Sequence, residues 1–121
     1  MQVIKAAESV HTIFKQTCEA FGLEYLTIPA WENASDASKI QAVYTVKRIM
    51  LYPDVTPREC QTLYLQWSLA NGWKPGEKYN DILKTNPRLK AWHWLTSEEK
   101  KISEVIVKIG KLLRFPIIEA L

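Results

Sequence analysis

Cysteine is scarce: Cys18 and Cys60 are the only two in 121 residues. Two thiols make neither a disulfide framework nor a metal cage. Both sit among apolar residues at helical spacing, where a thiol serves as a small core side chain. Long hydrophobic runs are also missing. No apolar stretch approaches the ~18 residues of a membrane span, and Met1–Lys5 lacks the apolar stretch of a secretory leader. The expected home is the cytoplasm, with no membrane partner. An excess of one charge is missing too. The formal charge is +3, too small for a dedicated nucleic-acid binder with its concentrated basic stripe. The chain shows no repeat, low-complexity tract or interdomain linker. Gly72-Trp73-Lys74-Pro75-Gly76 lacks the Gly-Lys-Ser/Thr ending and the preceding strand of a phosphate loop.

What remains is a globular composition. Hydrophobic residues make up 47%, enough for a core in a single domain of 1–121. The charge is uneven. Residues 1–60 hold six Lys/Arg and seven Asp/Glu, and residues 61–121 hold ten and six. The second half would favour an anionic ligand, or merely carry solvated helix faces.

Helical signals dominate. Val3, Ala7, Val10, Phe14, Cys18 and Phe21 share one face of a helix over 3–21, and Gly22 stops it. His11 on this helix reads as partly exposed. Residues 23–28 read as a short extended segment. Ser35 or Asp36 caps a second helix to about Tyr52, burying Ile40, Val43, Tyr44, Ile49 and Met50. Thr56-Pro57-Arg58-Glu59 is a capping box with proline at the first helical position. It opens a third helix to about Asn71, burying Cys60, Leu63, Tyr64 and Trp67. Thr96-Ser97-Glu98-Glu99 is a second capping box, with both glutamates expected to face water. Its helix runs to about Arg114 on a stripe of Ile102, Val105, Ile106, Ile109, Leu112 and Leu113, and Pro116 stops it. The fold class is therefore mainly α: a small bundle of about four helices with an irregular Trp/Pro/Gly-rich loop at 72–95. A short helix is expected near Asn80–Leu83. The apolar tail Ile117, Ile118 and Leu121 is a candidate self-association surface.

Catalytic constellations are weak. His93 stands between Trp92 and Trp94 with no second histidine, cysteine or carboxylate at a triad or ligand spacing. No catalytic residue, metal or cofactor is expected. The loop instead interleaves aromatic and basic side chains. Trp73, Tyr79 and Trp92 offer flat faces; Lys74, Lys84 and Arg88 offer charge; Asn86 offers a polar edge. Such a set suits stacking on a base and neutralising a phosphate. The alternative is that these aromatics anchor the loop onto the helices, as Trp67 and Trp94 are expected to do.

The second half resembles the RyR domain, the repeat named from ryanodine receptors and found singly in bacterial and phage proteins. The residues that carry the resemblance are Trp67, Gly72-Trp73 with Gly76, Asp81, Lys84-Thr85-Asn86-Pro87 with Leu89, Trp92, Leu95 and Glu99-Lys100. Many members have a histidine where Tyr64 stands, an aromatic at Pro75 and Val-Pro at Lys90-Ala91. The match covers roughly 31–115, leaving 1–30 as an N-terminal helical extension. The resemblance implies a compact helical unit without catalysis. It implies a phage or bacterial accessory protein binding a nucleotide-derived molecule. Two functions are expected: a non-catalytic binding module for a nucleotide-like or other anionic small ligand, or a protein-interaction or homo-oligomerisation module.

Overall fold

The computed structural model describes residues 2–120, and the side chains of residues 2–114. Four α-helices carry the fold: α1 (Val3–Ala20), α2 (Asp36–Leu51), α3 (Pro57–Ala70) and α4 (Ser97–Ala120). Single 3-10 turns cover Trp31–Asn33 and Trp92–Trp94. No strand is present among the described residues, so the chain is mainly α, as the periodicity predicts.

The helix starts follow the local chemistry. The Ser35 side chain accepts from Ser38 N at 3.2 Å and caps α2. Thr56 and Glu59 exchange reciprocal bonds and cap α3. Thr96 and Glu99 do the same at the start of α4, at 2.8 and 3.1 Å. Each cap satisfies amide donors that the first turn leaves unpaired. The α4 backbone continues through Pro116 to Ala120, past the expected stop. A proline removes one backbone bond, and the following turns can still stay helical. The tail residues Ile117, Ile118 and Leu121 lie outside the described side chains.

The helix α1 packs against α2 and α4, while α4 also meets α2 and α3. At the crossing of α2 and α4, Gly110 faces Ile49. A Cβ on Gly110 would lie 2.6 Å from Ile49 Cδ1, so any larger residue would force the buried Ile49 to shift. Three apolar clusters form the interior. One gathers Phe14, Cys18, Leu26, Ile28, Trp73, Tyr79, Leu89 and Ile102. A second joins Ala6, Ala7, Val10 and Val46. A third joins Ile49, Val55, Cys60 and Val107. Ile106 packs against all three, so it marks the centre of the bundle.

Several burial expectations need correction. Ile40 and Leu112 are exposed, although periodicity assigns them to the core. Trp94 is 70% exposed rather than anchored. Trp67 is half-buried and stacks on Tyr44 at 4.6 Å. Glu99 is 0% exposed rather than water-facing, because its Oε1 serves both the cap and the Lys90 ammonium at 3.0 Å. Residues 23–28 form no strand, though Leu26 and Ile28 are buried.

Candidate functional site

The loop after α3 builds the site. Gly72 takes φ +87°, which releases the chain from the helix. Trp73 N then returns to Ser68 O at 2.9 Å, and its indole is buried. Beyond it, the chain doubles back. Lys74 N donates to Lys84 O at 2.9 Å and Asn86 N to Lys74 O at 3.0 Å. Asn80 and Thr85 exchange two backbone bonds. Asn80 Oδ1 accepts from Ile82 N and Leu83 N, which makes 81–84 a turn rather than the expected short helix. Asp81 ties the turn to α2: its Oδ2 accepts from Ser35 N at 2.7 Å, and its carbonyl accepts from Ser35 Oγ.

This path delivers Arg88 into the bundle. Asn86 Oδ1 accepts from Arg88 N at 2.9 Å, and Gln61 Nε2 donates to Arg88 O at 2.8 Å. Both partners are buried, so the backbone of Arg88 is held on two sides. The residue is 4% exposed. Nη2 donates to Ser103 Oγ at 2.9 Å. The rings of Phe14 and Tyr64 lie 5.1 and 5.9 Å from Cζ. Nε has no hydrogen-bond partner, and no carboxylate pairs with Arg88 among the described residues.

Arg88 lines a cavity of about 60 Å³ where the three clusters meet. All four helices and the loop contribute to it. The polar lining comes from His11, Ser38, Gln41, Thr45, Gln61, Tyr64, Tyr79 and Ser103, with Val10, Phe14, Ala42, Cys60 and Ile106 as the apolar part. Ser38 Oγ and the Tyr79 hydroxyl share a bond at 2.8 Å. The Tyr64 hydroxyl accepts from Asn86 Nδ2 at 3.0 Å. His11 is buried, against expectation, because its Nε2 donates to the Pro29 carbonyl at 2.8 Å. Burial pushes the Tyr64 phenol up to about 12 and the Cys60 thiol up to about 11, with nearby Arg88 opposing both. Tyr79 is also raised, first by burial and then by Tyr64. Tyr64, Tyr79 and Cys60 are therefore neutral at pH 7. Among the described residues, no acidic residue lines the cavity, and Arg88 is its fixed charge.

The residues expected to bind ligand separate into two groups. Tyr79 and Arg88 line the cavity, and Asn86 stands behind it through Tyr64. Trp73 packs beside Tyr79 at 5.9 Å as part of the core. Lys74 is exposed, and Lys84 reaches the Asn71 carbonyl at 3.3 Å. Trp92 is half-buried under Lys100, which lies 5.7 Å from its ring. Lys74, Lys84 and Trp92 lie outside the cavity lining. Sequence reasoning missed His11, Ser38, Gln41, Gln61 and Ser103. Their only signal was a polar residue on an otherwise apolar helix face. Among the described residues, no three of His, Cys, Asp and Glu gather as a metal cage. No helix among them is long and apolar enough to cross a membrane. No family model, curated protein or solved structure matches this chain.

Proposed function

We propose that this protein is a non-catalytic binding module for a small anionic ligand, held at the cavity under Arg88. One observation carries the reading: a buried guanidinium with an unpartnered Nε and no carboxylate partner among the described residues. Burying a cation costs several kcal/mol even after relaxation. One hydrogen bond from a charged donor returns about 1.5–3 kcal/mol, and each aromatic contact about 0.5–2 kcal/mol. The ledger stays incomplete at Nε, where an anion would complete it. The positive second half of the sequence agrees in sign. Cys60 offers no activated nucleophile, since its thiol is held protonated. The likeness to RyR domains supports a binding role as well. Its motif residues Trp73, Asn86, Leu89 and Glu99 are buried and hold the loop that presents Arg88.

A thermal-shift panel of nucleotides, cyclic oligonucleotides, dinucleotide cofactors and simple oxyanions tests this. A ligand of the folded state stabilises it by linkage, by about 2.7 kcal/mol at ~100 times its dissociation constant, and so raises its melting temperature. The shift is expected to vanish in Arg88→Met. That variant should be at least as stable as the parent without ligand, because it removes an unpaired buried charge. A shift that persists in Arg88→Met removes Arg88 from the site.

A second reading, a protein-interaction module, draws on exposed Ile82, Leu83 and Trp94 on the loop. Sedimentation of the wild type against Ile82→Ser/Leu83→Ser measures it. Self-association lost in the double variant supports that reading, and a wild-type monomer removes homo-oligomerisation.

A further inference from the structure

We infer that the Arg88 cavity takes a planar monoanionic carboxylate-type oxyanion, of the formate, bicarbonate or acetate class, bound by Arg88 Nε and Ser103 Oγ. The inference rests on the anion-binding reading above and narrows it by size, charge and geometry.

Size comes first. A cavity of ~150 Å³ accommodates a benzene ring, and a water needs about 10–15 Å³ of such space. The present cavity is about 60 Å³. A nucleobase does not fit it, while an anion of about three or four heavy atoms does. Charge comes second. The lining carries one guanidinium and neither lysine nor a second arginine. One positive charge balances a monoanion and leaves a dianion with buried excess charge, which is costly. Phosphate, at roughly −1.5 to −2 when esterified at pH 7, matches poorly.

Geometry comes third. Nε and Nη2 of an arginine form one side of its planar fork, the edge that receives a carboxylate. Nη2 is engaged with Ser103 Oγ at 2.9 Å, and Nε is free. Ser103 Oγ accepts that bond and keeps its own hydroxyl proton to donate. An oxyanion taking Nε–H through one oxygen and the Ser103 O–H through another would satisfy both groups. Phe14 and Tyr64 contact the guanidinium through their rings, which uses its charge and none of its N–H bonds. The apolar lining of Val10, Ala42 and Ile106 suits a hydrogen or methyl substituent on the carboxylate.

The test is thermal denaturation of the full chain in sodium formate, acetate and bicarbonate, with sodium phosphate and sulfate in parallel. Sodium chloride at matched ionic strength is the reference. A saturable rise of about 5 °C is expected for at least one planar monoanion. Ser103→Ala should weaken the apparent dissociation constant about tenfold, and Arg88→Met should abolish the response. A response to phosphate or sulfate alone, lost in Arg88→Met, overturns the proposed class and leaves the anion module standing. No response to any of these anions overturns the carboxylate-type proposal, while a response in the wider panel that is lost in Arg88→Met would preserve the anion module. If Arg88→Met does not fold, Ser103→Ala decides, and an unchanged planar-anion response in it overturns the assignment.

Discussion

Lys84 holds φ at +56°, the left-handed region that a side chain with Cβ enters at a cost of about 1–2 kcal/mol. The turn imposes this angle, because Lys84 O must meet Lys74 N at 2.9 Å. Lys84→Gly relieves the strain and gives up an exposed contact to Asn71. It is expected to raise unfolding free energy by about 1 kcal/mol, while Lys84→Val lowers it by a similar amount. Urea denaturation measures both. Lys84→Gly should also retain the anion response, since Lys84 does not line the cavity. In the sequence, Lys84 and Arg88 look alike: two cations in one aromatic, basic stretch. Residue type was legible there and side-chain direction was not. Arg88 points inward because Gln61, 27 residues away, donates to its carbonyl and Ser103 accepts from its Nη2. A lone histidine on a helix face poses the same difficulty, and His11 is buried because it pairs with Pro29, 18 residues away.

At the scale of elements, the close crossing of α2 and α4 makes a sharp prediction. Gly110→Ala sets a methyl 2.6 Å from Ile49 Cδ1, and Ile49 is fully buried. The expected loss is about 1–3 kcal/mol in chemical denaturation. Ile49→Val should recover part of it in the double variant, because one carbon leaves the point of clash. Thr96→Ala should cost about 1 kcal/mol by opening the cap of α4. Helices and caps were legible because their signals lie within four residues of each other. Thr56-Pro57-Arg58-Glu59 and Thr96-Ser97-Glu98-Glu99 therefore read correctly. The loop was legible only as irregular. Its doubled-back path depends on the pairing of Lys74 with Lys84 and Asn86, which no short-range period encodes. Exposed Ile40 and Leu112 show the limit of apolar periodicity: a helix stripe can be wider than the surface its neighbours cover.

At the scale of the whole molecule, the buried thiols and phenols place their titratable risk in one direction. Cys18 and Cys60 rise from an ordinary 9.0 to about 11, and Tyr64 rises from 10.0 to about 12, all chiefly through burial. Tyr79 rises as well. For an acid whose folded value is raised, the folded state holds more protons than the unfolded state between the two values. Stability then falls as pH increases. This contribution is intact below pH 9 and is lost from pH 9 through about 12. Melting temperature should decline steeply across that window. Replacing Cys18 and Cys60 with alanine should flatten the early part of the decline, whatever its effect on stability at pH 7. The order of assembly follows from the contact of α1 with α4. The first helix is covered by the last, across the intervening segment from Phe21 to Thr96. At about 5–20 residues per second, a growing chain leaves the part of the α1 face that α4 covers unmatched for roughly 4–15 s, while α2 covers the rest sooner. Chains arrested before Ser97 should bind hydrophobic dyes and holdase chaperones, and those arrested after α4 emerges from the ribosome should not.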